Sequence, residues 1–145
     1  MLTKADGRSG CDSVVAASPA VPVSPPGQDV DQRIQRVRRA FNRFGPLVWL
    51  WLIWMVWPDH PWDDKVLSRR YADFGNFAFG AVCCAAHIPL QPALRAAGAV
   101  EEYLTDWFPE NGHWWGRPPY GDNPDAHQCI KDGYQYARAT LAGAR

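Results

Sequence analysis

The chain has 145 residues, with 15 basic and 15 acidic side chains and no formal net charge. Its 47% apolar and 21% charged residues suit one globular domain able to bury a core, not a disordered or membrane-embedded chain. Zero net charge excludes a nucleic-acid binder working through bulk positive potential, though not one with a local basic groove. Cys11, Cys83, Cys84 and Cys129 show no CxxC spacing, so neither a zinc site nor a disulfide framework is expected. They read as thiols of a reducing compartment.

Residues 1–29 are rich in Ser, Ala, Pro and Gly and contain no aromatic side chain. Such a segment buries too little apolar surface to offset its ordering entropy, and reads as a disordered leader or linker. Prolines interrupt its valines, so no continuous apolar region marks a signal peptide. Removing it is expected to leave the melting temperature nearly unchanged.

The domain proper is expected over 30–145. Ile34, Val37, Phe41 and Phe44 recur at helical spacing, and Gly45-Pro46 ends the run. Arg33, Arg36, Arg38, Arg39 and Arg43 carry five charges with no acid between them. They read as the solvated face of this helix, or alternatively as a surface facing phosphates on RNA or anionic lipid. Residues 47–57 are wholly apolar and hold Trp49, Trp51, Trp54 and Trp57. As a helix they reach about half of a hydrocarbon core roughly 30 Å thick, so a buried core helix is expected rather than a span. An interfacial helix beside anionic headgroups is the alternative.

After Pro58 and Pro61 comes Trp62-Asp63-Asp64-Lys65, and then Arg69-Arg70-Tyr71-Ala72-Asp73-Phe74-Gly75-Asn76-Phe77-Ala78-Phe79-Gly80. Gly75 and Gly80 with Asn76 between them suggest a tight loop where backbone approaches something closely. Asp73 and Asn76, set among phenylalanines, must cap a turn or face a ligand.

These blocks, with Ile88-Pro89-Leu90-Gln91-Pro92 and its following Ala-Ala-Gly, and with Tyr120-Gly121-Asp122-Asn123-Pro124-Asp125, resemble the type 44 domain of bacterial polymorphic toxins. The resemblance covers roughly residues 54–138. It implies a mainly α domain delivered or secreted as an effector, acting in the target-cell cytoplasm and neutralised by a cognate immunity protein. It implies a toxin with nuclease action on RNA. Carried over by motif, Trp62, Asp63 and Lys65 stand at its Trp-Asp-x-Lys element. Asp73, Gly75, Asn76 and Gly80 stand in its glycine block, and Gly121, Asp122 and Asp125 in its last turn. Phe79 stands where that pattern has Tyr, and His87 where it has a small residue.

Ala81–His87 reads as a short helix of small residues. Ala93–Leu104 reads as a second, with Pro92 in its first turn and Leu94, Ala97, Val100, Tyr103 and Leu104 as its stripe. Glu101 and Glu102 read as a solvated surface, with a catalytic acid as the lesser alternative. Residues 107–122 form a Pro/Gly-rich loop, where His113 beside Trp114 and Trp115 either covers a site or stacks on bases. Asn123, Pro124 and Asp125 open the last helix, whose face is Ala126, Ile130, Gly133, Ala137 and Leu141. Capping accounts for Asp122 and Asp125, unless they join a polar site near the glycine block.

The expected architecture is therefore a mainly α single domain of four or five helices with long loops. RNA cleavage needs a base, an acid and positive charge at the phosphorane. Lys65, Asp73, Asn76, Asp122 and Asp125 are the catalytic candidates; Trp62, Arg69, Arg70, Gly75, Gly80 and His113 are the substrate-binding ones. Lys65 with Arg69 or Arg70 supplies charge, Asp73 or Asp122 the base, and His113 or His127 the acid. Two of Asp73, Asp122 and Asp125 holding Mg²⁺ is the alternative. Hydrolysis of a cell-wall polymer by a carboxylate pair is a second enzymatic reading. A membrane-active toxin using residues 33–57 is a non-enzymatic one.

Overall fold

The computed structural model describes residues 17–64, 69–105 and 107–144, and of Arg69 the backbone alone. Five α-helices account for the fold: α1 (Val30–Phe44), α2 (Val48–Val56), α3 (Ala72–Ala85), α4 (Leu90–Leu104) and α5 (Pro124–Gly143). Single 3₁₀ turns lie at 45–47, 69–71 and 109–111, and no strand occurs among the described residues. The mainly α architecture is as expected.

Helix α1 begins where the Asp29 side chain accepts the Asp31 N–H at 2.7 Å, and ends at Gly45 with φ 59°. Its buried side chains are Val30, Arg33, Ile34 and Val37. Of the expected leader, residues 17–29 are described. Pro25 is buried, and Gln28 accepts a 2.8 Å hydrogen bond from Arg33, so the end of this segment belongs to the domain by contact.

Helix α2 corrects an expectation. It is a helix, but not one surrounded by core: Val48, Leu52 and Met55 are buried, while Leu47, Leu50, Ile53, Trp54 and Trp57 are exposed. With apolar residues at every position, the sequence held no polar face from which to tell the inside from the outside.

The glycine block also corrects one. Residues 72–85 form α3, not a loop. Its glycines serve helix packing. A Cβ on Gly80 would overlap the Ile130 carbonyl oxygen of α5, and one on Gly133 would overlap the Phe77 carbonyl oxygen of α3. The two helices thus cross backbone to backbone, in the most extensive helix contact of the molecule. Phe74, Phe77, Ala81 and Val82 of α3 complete the main core with Ile34, Val37, Leu52 and Ala137.

Helix α3 stops in a Schellman turn. Ile88 N–H donates to Cys83 O at 2.9 Å, His87 N–H donates to Cys84 O at 3.0 Å, and His87 itself takes φ 56°. Helix α4 follows, starting at Leu90 rather than at Pro92–Ala93. Tyr103 and Leu104 of its expected stripe are exposed; Ala93, Leu94 and Gly98 are the buried positions. Gly98 leaves room for the Tyr120 carbonyl. Arg95 donates to Trp114 O at 2.8 Å and lies over the Tyr120 ring at 4.3 Å, so α4 holds the 107–122 loop. Helix α5 opens as expected, with Asn123 Oδ1 accepting the Asp125 N–H at 2.9 Å and Pro124 at its first position.

Candidate functional site

A cavity of about 490 Å³ lies between α2, α3, α4 and the Gly121–Asp122 turn. Most of its wall is apolar, from Ile53, Val56 and Trp57 of α2, Phe79 and Val82 of α3, and Val100 of α4. The polar groups on it are few: Arg33, Asp63, Asp64, Asn76, Glu101 and Asp122 among them. An apolar cleft with a small number of convergent polar groups is the ordinary form of a ligand site.

Arg33 and Asp64 form a two-pronged pair. Arg33 Nη1 donates to Asp64 Oδ2 at 2.7 Å, and Nη2 donates to Asp64 Oδ1 at 2.8 Å, with the side chains 5% and 2% exposed. The guanidinium lies between the rings of Trp62 and Phe74, 5.2 Å from each centroid. Its Nε is buried without a hydrogen bond among the described residues. A buried pair such as this is structural first: losing one partner strands the other charge, at a cost of about 3–5 kcal/mol. It ties α1 to the turn before α3. This corrects the reading of Arg33 as part of a solvent- or phosphate-facing row. Val30, Arg33, Ile34 and Val37 fall at i, i+3, i+4 and i+7, so the spacing does place Arg33 on the apolar face.

Trp62 and Gly75 line the same cavity. Trp62 is wedged against Trp51 edge-to-face at 5.6 Å, and its backbone N–H donates to Met55 O at 2.9 Å. Gly75 sits against Asp64, where an added Cβ would be 3.4 Å from the Asp64 Cβ. Asp63 Oδ2 accepts the Asp59 N–H at 2.9 Å, closing the turn in which Asp59 has φ 64°. Asp122 is 3% exposed, and its Oδ1 accepts the Asn123 N–H at 2.8 Å. It therefore does not cap α5; Asn123 does.

The other candidates lie elsewhere. Asp73 is exposed in the first turn of α3 and does not line the cavity. Asp125 is exposed in the first turn of α5, and with Asp73 and Asp132 it helps to push the Cys129 thiol up, after burial as the main cause. Gly80 is buried in the α3–α5 crossing and takes no part in the cavity. His113 is stacked against Trp107 at 5.3 Å and Trp115 at 4.9 Å, with Nδ1 2.7 Å from Glu102 Oε1. Glu102 also accepts the Trp114 N–H at 3.1 Å, so it is a loop anchor rather than plain surface. His127 packs on Tyr120, and burial lowers its pKa. Arg70 is exposed just before α3. Lys65 and the Arg69 side chain lie outside the described residues.

Three or more His, Cys, Asp or Glu side chains grouped as a metal site do not occur among the described residues. Of the three carboxylates weighed for a Mg²⁺ pair, Asp122 alone lines the cavity. Cys83, Cys84 and Cys129 are free thiols. Burial raises the Cys83 thiol far above its ordinary range, so it is no nucleophile.

Glu101, for which the sequence favours a solvated surface over a catalytic acid, stands in the cavity wall. No family model, curated protein or solved structure matches this chain.

Proposed function

We propose that this chain is the effector domain of a bacterial polymorphic toxin, a hydrolase whose active site is the cavity between α2, α3 and α4. One observation carries the reading. Trp62, Gly75, Asn76 and Asp122 come from three separated motifs of the family resemblance, and all four line one cleft. Motif residues chosen without reference to space, and serving only packing, have no reason to meet there.

RNA is the substrate class tested first. In this reading Asp122 takes the proton of the 2′-hydroxyl, and the Asn76 amide donates to a phosphate oxygen. Glu101 returns a proton to the leaving oxygen, and a base packs on Trp62. Arg33 is already neutralised by Asp64, and the charge at the phosphorane is assigned to Lys65, which lies outside the described residues. A cognate immunity protein is the expected partner, and the target-cell cytoplasm the expected site of action.

A second reading has its own support. The described lining holds four carboxylates, Asp63, Asp64, Glu101 and Asp122, against one guanidinium. Walls of that sign repel a polyanion and suit a neutral polymer, such as a cell-wall glycan cut by a carboxylate pair.

Expression in a tightly repressed bacterial host, followed by analysis of total RNA, DNA and cell shape, tests both. Degraded RNA supports the first reading, and rounding or lysis with intact RNA supports the second. Asp122→Asn is expected to lower toxicity on the order of 10²-fold or more while the protein stays folded. A folded, fully toxic Asp122→Asn variant overturns the cavity as the active site.

A further inference from the structure

The outer face of α2 is not explained by the cavity. Between Asp31 and Asp59 the chain carries five arginines and no acid. Arg33 is consumed by Asp64. Arg36, Arg38, Arg39 and Arg43 make no ion pair among the described residues. Arg36 lies over the Trp51 ring at 5.4 Å and Arg43 over the Phe44 ring at 5.2 Å. Arg36 and Arg43 therefore rim an apolar surface rather than stand apart from it.

That surface is large for side chains facing water. Leu50 is 70% exposed, Leu47 69%, Phe44 55% and Trp54 52%. Leu47, Leu50 and Trp54 recur at i, i+3 and i+7, on one side of α2. Ala40, Phe44, Leu47, Val48 and Trp51 form a shallow apolar groove where α1 meets α2. Nothing polar interrupts the helix, which is nine residues long.

We infer that this face docks on an anionic lipid surface, with α2 lying in the headgroup–acyl boundary. Three observations point to lipid together. The face is apolar with tryptophans, which favour the membrane interface. Its rim is cationic and without an ion pair among the described residues, complementary to acidic headgroups. A helix of this length reaches about 13 Å, under half of a bilayer core, and no described helix is long and apolar enough to cross a membrane. The helix therefore lies in the interface rather than spanning it. This inference stands apart from the cavity chemistry, and its test does not read toxicity.

The test is flotation of the full chain with phosphatidylcholine vesicles, with and without phosphatidylglycerol, at low and high salt. Tryptophan emission reports burial. Binding to the phosphatidylglycerol vesicles, a blue shift, and weakening at high salt are expected. Leu47→Glu with Leu50→Glu alters exposed side chains outside the cavity, and should lower partitioning at least tenfold with an unchanged circular-dichroism melt. Arg39→Gln with Arg43→Gln should cut the preference for anionic vesicles roughly 30-fold. Failure to float with either vesicle overturns the inference, as does flotation indifferent to the leucine pair. A chain that stays off vesicles but elutes as a dimer, dissociated by the same leucine changes, overturns it in favour of self-association. Retention of RNA instead, lost in the arginine pair, overturns it in favour of nucleic acid.

Discussion

At the scale of single residues, His87 holds a backbone conformation that its own side chain opposes. The position closes α3 with φ 56°, where a side chain crowds its own backbone and glycine does not. Glycine is what this geometry asks for. His87→Gly should therefore raise stability by roughly 1 kcal/mol through relief of that conformation. Loss of the ring contact with Phe41, 4.7 Å between centroids, offsets part of the gain. Urea denaturation of the two proteins checks it, and a less stable glycine variant would show that the Phe41 contact dominates. The two glycines of α3 separate in the same way. Gly80→Ala drives a Cβ into the backbone of α5 and should cost about 3 kcal/mol or more. Gly75→Ala meets Asp64 at ordinary contact distance, and the helix gains up to about 1 kcal/mol from alanine. Thermal melts of both variants decide: equal effects would remove the distinction. The sequence treats the two as a pair, because spacing alone does not say which neighbour each faces.

At the scale of elements, the 107–122 loop is held by side chains rather than by its own backbone order. Trp107 Nε1 donates to Gly112 O at 2.8 Å, Arg95 holds the Trp114 carbonyl, and Glu102 takes both His113 and the Trp114 N–H. The hydrogen bond from His113, first, and that from Trp114 hold the Glu102 carboxyl below its usual 4.5. The sign follows directly. The unfolded chain takes up this proton at about 4.5, and the folded chain only at lower pH. The stabilisation is thus present above pH 4.5 and is lost as pH falls through the folded value. The stability difference between the native chain and Glu102→Gln should accordingly be largest near neutrality and shrink below pH 4.5. Chemical denaturation of both proteins across that range measures it; a difference constant with pH would mean that the charge of Glu102 does not anchor the loop. The helices themselves were legible where a pattern had two faces. The Ile34 and Val37 part of the α1 stripe, with its Gly-Pro stop, and the Asn-Pro-Asp start of α5 are such cases, whereas Phe44 of that stripe is exposed. They failed to be legible where the face was uniform, as in α2. They failed too where glycines suggested a loop, as in α3, because packing against α5 outweighs glycine's weak helix propensity.

At the scale of the molecule, the candidate site was half legible. Trp62, Gly75, Asn76 and Asp122 meet in the cavity, while Asp73, Asp125, Gly80 and His113 do not. What the sequence could not convey is the turn of α3. Asp73 and Asn76 are three residues apart, yet Asp73 is exposed and absent from the cavity lining while Asn76 is part of it. The pair Arg33–Asp64, 31 residues apart, was equally hidden, and it decides where the domain begins. Asp29 caps α1, and Gln28 accepts from the same guanidinium that holds Asp64. The leader therefore cannot be cut at Val30 without loss. A chain starting at Ser24 retains the Pro25–Gln28 turn, in which Gln28 N–H donates to Pro25 O at 3.0 Å, and also the cap. A chain starting at Val30 loses about 1 kcal/mol for the cap and a further ~1.5 kcal/mol for a hydrogen bond to a charged group. For a domain of this size that is a fall in melting temperature of roughly 5–10 °C. Asp29→Ala in the full chain should reproduce the cap's share alone. Thermal melts of the full chain, the two truncations and Asp29→Ala measure the pieces separately. Equal melting temperatures for the chains beginning at Ser24 and Val30 would show that the domain starts at α1 after all, and that Gln28 contributes nothing to holding Arg33 against Asp64.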